Sequence, residues 1–258
     1  MTSFKSTADL YSRYRVPYPK SLLTRLRADA NLRRASVVLD LATGPGRIAL
    51  ALAPTVHEVI AVDAEPEMLE EGKRIARQRG ITNVKWMHAR AEELSILPGS
   101  MDLVTIGEAL HRLDEELILP AIRQWLRIRG CVAIVGCFGV LHGEQPWQSA
   151  LRQALSGWSG ELPNTRPRGK DHDTRRLIDA GFDGVANREF IASCDWTRDS
   201  ILGHLHSTSR FSLPALGDEL EDFESAVLEA LGPDETRLFP QEISCGYSIG
   251  WNGGKVSG

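Results

Sequence analysis

An α/β fold with a mostly parallel seven-stranded sheet is predicted by three observations. The first two-thirds of the chain alternate short apolar runs with helical patterns. Those runs lack two-residue alternation, as expected of strands buried on both faces of a parallel sheet. Two of them end in carboxylates, Asp40 and Asp63, and the first leads directly into Gly44-Pro45-Gly46. A buried strand, an acidic strand end and a glycine loop opening a helix describe a ligand crevice at the carboxyl edge of an open α/β sheet.

Strands are expected at 36–41, 58–62, 83–88, 102–107 and 131–138, with helices at 46–54, 66–79 and 115–128. The helix at 66–79 carries its own punctuation. Pro66 suits a first helical residue and Gly80 a C-terminal cap. Met68, Leu69, Ile75 and Ala76 give it an apolar face, and Glu70 stands four residues before Arg74 on the other. Beyond 140 the pattern loosens. A helix at 147–156, a polar loop at 159–170, a helix at 172–180 and a strand at 184–193 follow. A helical pair at 197–206 and 216–231 then precedes a last strand at 242–251. The late strands close the sheet, and the helical pair with residues 1–20 is the material for a helical lid. One domain spanning 1–258 is expected: an N-terminal flap at 1–20, a cofactor-binding core at 30–140, and lid helices with closing strands at 141–258.

The chain has 258 residues and a formal net charge of −4. It is long enough for one large core, and its charge gives no general attraction to nucleic acid. Arg123, Arg127 and Arg129 read as a charged helix end facing solvent. The four cysteines, Cys131, Cys137, Cys194 and Cys245, form no C-x-x-C pair and sit in apolar segments, so they read as core thiols in a reducing compartment. The longest apolar run, 131–141, is about half a membrane span, and the N-terminus lacks an apolar signal segment. A cytoplasmic protein, monomeric or homodimeric and independent of membranes and nucleic acids, is expected. His57, His88, His142 and His172 show no metal-ligand spacing.

The glycine loop alone leaves two cofactor classes open. Gly44 to Ala49 also fits G-x-G-x-x-A, the dinucleotide fingerprint, with Asp63 near the acidic spacing. Asp40, four residues before the glycine, favours a different nucleoside cofactor, since dinucleotide enzymes run apolar into that loop. Ala91-Glu92 after the third strand points the same way.

The segment Asp40-Leu-Ala-Thr-Gly-Pro-Gly resembles motif I of class I S-adenosylmethionine (SAM) methyltransferases, usually D-x-G-x-G-x-G. Asp63, 23 residues on, falls where that family carries its ribose carboxylate. His88 to Leu94 resembles its G-x-A-E-x-L segment, and Asp102 to His111 its fourth strand and following loop. Tyr11 to Pro19 resembles the Y-x-x-Y-R-x-x-Y-P opening of a small-molecule branch, the methyltransferase type 11-like proteins. Asp195 to Ser209 resembles that branch's W-T…S-T-S element. Ala42 replaces the first motif-I glycine, and His206 stands where aromatic residues are frequent.

The resemblance implies a Rossmann-like fold and SAM as cofactor. It implies that Asp40, Ala42, Gly44, Gly46 and Gly107 surround the cofactor, that Asp63 with Ala64 serves the ribose, and that Met68, Ala91 and Glu92 serve the adenine. Each has a plainer reading as well: Asp40 as a turn acid, Glu92 as helix-start charge, Met68 as core. Tyr11, Tyr14 and Tyr18 form either an amphipathic helix packed on the core or a flap, with Tyr14 near the cofactor's carboxylate and Tyr11 and Tyr18 toward the acceptor. His206 and Ser209 either line the acceptor pocket or cap and pack a helix. His111, whose ordinary pKa lies near working pH, and Glu108 are the candidates at the reacting centre. Glu108 can equally hold a cofactor or substrate amine. The expected activity is methyl transfer to a small-molecule acceptor at O, N or C. The loop after the fourth strand, Gly107-Glu108-Ala109-Leu110, is not the N/D-P-P-Y/F motif of nucleic-acid amino-methylating enzymes. A SAM-binding protein without turnover is the alternative.

Overall fold

Two acidic strand ends and a switch in strand order organise the sheet. The computed structural model describes residues 7–158 and 170–253. Its helices and strands run α1 (Thr7–Tyr14), α2 (Lys20–Asp29), β1 (Val37–Leu41), α3 (Arg47–Leu52), β2 (Glu58–Asp63), α4 (Pro66–Gln78), β3 (Val84–His88), β4 (Met101–Gly107) and α5 (Glu115–Trp125). They continue through β5 (Leu126–Cys137), α6 (Pro146–Leu155), α7 (Lys170–Asp179), β6 (Asp183–Trp196), α8 (Arg198–His206), α9 (Leu213–Leu216), α10 (Leu220–Leu231) and β7 (Phe239–Trp251). The strand order is β3-β2-β1-β4-β5-β7-β6. β1 to β5 pair in parallel, and β7 runs antiparallel to β5. The order reverses between β1 and β4, and the carboxyl ends of strands at such a switch point are where open α/β sheets take ligands. The Rossmann-like, mostly parallel seven-stranded architecture is therefore present.

The described chain forms two compact units. The sheet unit contains residues 18–137, 170–190 and 245–253, and the helical unit residues 7–17, 138–158 and 191–244. In the sheet unit, Leu39, Leu41, Val62, Val104, Ile106 and Val132 are fully buried and pack with Ile118, Ile122 and Trp125 of α5. Each large aliphatic buried this way contributes roughly 1.5–3 kcal/mol. Asp102 anchors the start of this core: its carboxylate accepts from the Val37 N–H at 2.7 Å and from Arg127. On the far edge, Asp29 accepts hydrogen bonds from Arg25, Arg188 and Tyr247, tying α2 to β6 and β7.

In the helical unit α1 packs on α8, and α6 on α10. The Tyr14 ring occupies the space a Cβ on Gly203 would need, and its hydroxyl donates to Asp199 at 2.9 Å. Burial and that bond push the Tyr14 phenol up. Gln148, completely buried, holds the 140–145 turn by donating to the carbonyls of Val140 and His142.

Several expectations need correction. The helix expected at 115–128 ends at Trp125, and β5 begins at Leu126. There the Gln124 and Trp125 carbonyls turn to accept from Gly99 and Ser100. Arg127 and Arg129 accordingly belong to a strand, not a helix end. Glu70 pairs with Lys73 and Arg74 with Glu71, three residues apart rather than four. α2 was absent from the sequence reading. Cys137 and Cys245 form a disulfide, whereas Cys131 and Cys194 are free. Antiparallel pairing sets Cys137 directly opposite Cys245, a juxtaposition invisible at a separation of 108 residues. The cysteine argument for a reducing compartment therefore falls away. The polar loop expected at 159–170 and the first six residues of the flap lie outside the described residues, apart from Lys170 at the start of α7. Among the described residues no helix is long and apolar enough to cross a membrane.

Candidate cofactor-binding site

Asp40 closes β1 and is completely buried. Its Oδ1 accepts from the Thr105 hydroxyl on β4 at 2.5 Å. Its Oδ2 accepts from the Thr43 hydroxyl at 2.5 Å and from the Ala49 N–H of α3 at 3.2 Å. Three partners from three segments meet at one side chain. Asp40 thus organises the loop from within, and no face of it remains open for a ligand. Burial pushes its carboxyl up to about 6, while the two hydroxyls and the amide hold it down and Asp63 adds a small upward push.

The loop turns through three left-handed residues. Ala42 has φ +48°, Gly44 +56° and Gly46 +79°. Glycine adopts this region freely, but an alanine there is strained. The Thr43 N–H donates to the Val62 carbonyl and the Gly44 N–H to Asp63 Oδ2 at 2.7 Å. Asp63 Oδ1 accepts from the Glu65 N–H at 2.9 Å. Both oxygens of the β2 carboxylate are therefore oriented by backbone amides at the carboxyl edge of the sheet.

The neighbouring residues follow the sheet edge. Ala64 is exposed, and its carbonyl lies 3.0 Å from His88 Nε2. Met68, on the first turn of α4, is half-buried, and Ala91 is buried in a 3-10 turn after β3. Glu92 accepts from the Asp114 N–H at 3.0 Å, which holds its carboxyl below the ordinary range.

At the end of β4, Gly107 has no room for a side chain: a Cβ would lie 2.9 Å from Ile48 and 3.0 Å from the Tyr18 hydroxyl. Glu108 then takes φ +56°, a second strained non-glycine. Tyr18 donates to Glu108 Oε1 at 3.4 Å, and Arg47 lies 3.5 Å from the same oxygen. The Arg47 guanidinium also sits 4.3 Å from the centre of the Tyr18 ring, a cation–π distance. Arg47 and Glu108 expose only about a sixth of their side chains, so this charged trio is half-shielded from water. His111 is exposed in a 3-10 turn, Leu110–Arg112.

The sheet unit thus brings together Asp40, Ala42, Gly44, Gly46, Asp63, Gly107, Glu108 and Tyr18 along the ends of β1, β2 and β4. Tyr11, Tyr14, His206 and Ser209 belong to the helical unit. There the Tyr11 ring stacks under Arg15 at 4.8 Å. His206 is buried, with Nδ1 2.9 Å from the Phe211 carbonyl and Nε2 3.0 Å from Glu224. Ser209 is exposed. Among the described residues no three His, Cys, Asp or Glu side chains gather to hold a metal.

Residues 38–130 match a family described as a methyltransferase domain. The match marks this stretch of the sheet unit as a methyltransferase domain. Curated methyltransferases resemble part of the chain as well. An uncharacterized methyltransferase, YcgJ of Bacillus subtilis, is 32% identical over 127 residues, 49% of each chain. The chain spans about half the length of the curated relatives it matches. The crystal structure of YcgJ covers 92% of this chain and all of its own, with a TM-score of 0.60 at 18% identity. A putative type II methyltransferase from Anaeromyxobacter dehalogenans covers 93% of this chain and 97% of its own, with a TM-score of 0.63 at 21% identity. An N-methyltransferase of Haemonchus contortus, solved in complex with S-adenosylhomocysteine, covers 96% of this chain and 58% of its own, with a TM-score of 0.56 at 16% identity. At these identities the structures establish the shared fold. The dinucleotide alternative is not favoured by these matches.

At this site the sequence reading missed three contributors. Thr43 and Thr105 serve the motif-I acid, and Arg47 joins Glu108 to Tyr18. Arg47 was legible as the first residue after the glycine loop. The Thr105 contact depends on β1 and β4 lying side by side, with Asp40 opposite Thr105, and nothing local announces it.

Proposed function

We propose that this methyltransferase binds SAM at the ends of β1, β2 and β4 and transfers its methyl group to a small-molecule acceptor. The observation that supports the reading most is the pair of backbone-oriented oxygens of Asp63 beside the left-handed loop Ala42–Gly46. A rigid carboxylate next to a loop without side-chain bulk suits a nucleoside ribose, whose two hydroxyls are donors. The SAH-bound Haemonchus relative supports the same cofactor class. Asp63 with Ala64 takes the ribose in this reading. Met68, Ala91 and Glu92 flank the adenine, and the backbone of Gly44, Gly46 and Gly107 borders the methionine portion. Asp40 acts through the loop rather than by contact.

When bound, SAM supplies an electrophilic methyl on a sulfonium. The work left to the protein is orientation and exclusion of water, worth roughly 7–11 kcal/mol in favourable intramolecular cases. Glu108, held by Arg47 and Tyr18, offers a fixed negative charge beside the crevice. It can orient a protonated or hydroxyl-bearing acceptor, and His111 can accept a proton where the acceptor must lose one. Tyr11, Tyr14, His206 and Ser209 remain proposed contributors from the helical unit, and 1–258 is taken as one functional domain. The acceptor is proposed as a metabolite, methylated at O, N or C, with monomer or homodimer as the working state and the cytoplasm as the location.

Calorimetry with SAM and S-adenosylhomocysteine, followed by labelled-methyl transfer to an acceptor library, tests the reading. Binding with transfer supports it. Binding without transfer to any acceptor leaves a SAM-binding protein, and absence of binding overturns the cofactor assignment.

A further inference from the structure

Gly72 sits in the middle of α4, where glycine weakens a helix relative to alanine. The reason lies on the neighbouring strand. A Cβ built on Gly72 would overlap the six-membered ring of Trp86, from β3, and would lie 3.1 Å from the Pro45 carbonyl. A Cβ on Gly46 would meet the same Trp86 ring at 2.6 Å. Two glycines, one in the cofactor loop and one in the helix behind it, thus make room for one indole. α4 approaches the loop backbone closely at the same place. The ring borders Gly46 in a loop that is held by three hydrogen bonds: Thr43 N–H to the Val62 carbonyl, Gly44 N–H to Asp63, and Gly46 N–H to the Thr43 carbonyl.

We infer that Trp86 is a positioning residue for the cofactor loop. Its ring is the wedge that keeps Gly44–Gly46 pressed toward Asp63, and Gly72 is the helix position that admits it. The inference rests on the proposed SAM site and deepens it: Trp86 acts through the loop. Trp86 is half-buried, and the six-membered end of its indole lies between Gly72 and Gly46 without slack. A methyl group added at Gly72 therefore pushes the indole into the loop, and removal of the indole lets the loop relax.

The test uses the full chain as wild type, Trp86→Ala, Trp86→Phe, Gly72→Ala and the double variant Gly72→Ala/Trp86→Phe. Hydrogen exchange of the Gly44 and Gly46 amides is read without ligand, and calorimetry with S-adenosylhomocysteine is read separately. Trp86→Ala is expected to speed exchange at both amides and to weaken binding by on the order of 10-fold, the usual scale for loss of an outer-shell support. Trp86→Phe, whose ring stops short of Gly46, is expected to fall between wild type and Trp86→Ala. Gly72→Ala is expected to weaken binding, and the smaller ring of the double variant to restore it, a non-additive result that identifies direct coupling. Should Trp86→Ala fail to fold, the Gly72→Ala and double-variant pair carries the same comparison. Unchanged loop exchange with additive effects overturns the inference. If the wild type binds no S-adenosylhomocysteine while Trp86→Ala still loosens the loop, the cofactor reading fails and the wedge stands.

Discussion

The Gly44 N–H donates to Asp63 Oδ2 at 2.7 Å, so the glycine loop after β1 and the acid at the end of β2 form one unit before any ligand arrives. The proposed ribose acid is therefore also a loop anchor. Replacing it removes both functions at once.

Asp63→Ala is expected to weaken SAM binding at least tenfold, since each hydrogen bond to a charged acceptor is worth about 1.5–3 kcal/mol. Asp63→Asn, which still accepts from Gly44 through its carbonyl oxygen, should lose less. Equal affinities for wild type and Asp63→Ala in calorimetry would remove Asp63 from the site.

Asp40 makes stability depend on pH in an unusual direction. Its carboxyl is raised from 3.8 to about 6 by burial. Between these values the folded protein holds a proton there that the unfolded chain releases. The stability gained from this proton is full below the unfolded value and is lost as pH rises through the folded one, by up to about 3 kcal/mol. In Asp40→Asn this component should vanish. Unfolding midpoints in urea, measured from pH 4 to pH 7 for both proteins, decide it. Parallel pH profiles would show that Asp40 does not titrate there.

Ala42 carries strain that a glycine would not. With φ at +48°, Ala42→Gly should raise the free energy of unfolding by up to about 1 kcal/mol, the left-handed penalty less the extra freedom of glycine in the unfolded chain. A clear loss of stability on equilibrium denaturation would mean that the alanine methyl group contributes packing outweighing its strain.

The Cys137–Cys245 bond brackets residues 138–244. A cross-link around about 100 residues stabilises by up to ~4.7 kcal/mol through the unfolded state. Thiol labelling of denatured, unreduced protein should modify two cysteines, Cys131 and Cys194, and labelling after reduction all four. Reduction, or Cys245→Ser, should lower the melting temperature, and the variant should be indifferent to reductant. Four reactive thiols in protein taken from intact cells would mean that the bond does not form in the protein's own compartment.

Much of the sheet unit was legible in the chain. β1 to β4 fall within one residue of the expected strands; β1, β2 and β4 are mostly buried and leave an apolar signal, whereas β3 is a half-exposed edge strand. Pro66 and Gly80 marked α4 for equally local reasons. α2 was missed because only its packing, with Leu22 and Leu26 fully buried, distinguishes it from a polar connector. The 126–128 segment is extended rather than helical, and the pairing of Leu126 with Met101 of β4 is a contact that its local pattern does not announce.

By itself the sequence determined the order of elements, the two acidic strand ends and the glycine loop, since each is a local pattern of burial or backbone freedom. Only the tertiary structure decided that Asp40 faces Thr105, that Cys137 meets Cys245, that Arg47 links Tyr18 to Glu108 and that Trp86 fills the space left by Gly46 and Gly72. Each of these joins residues distant in the chain, and strand order and register, not local propensity, set which side chains come within reach.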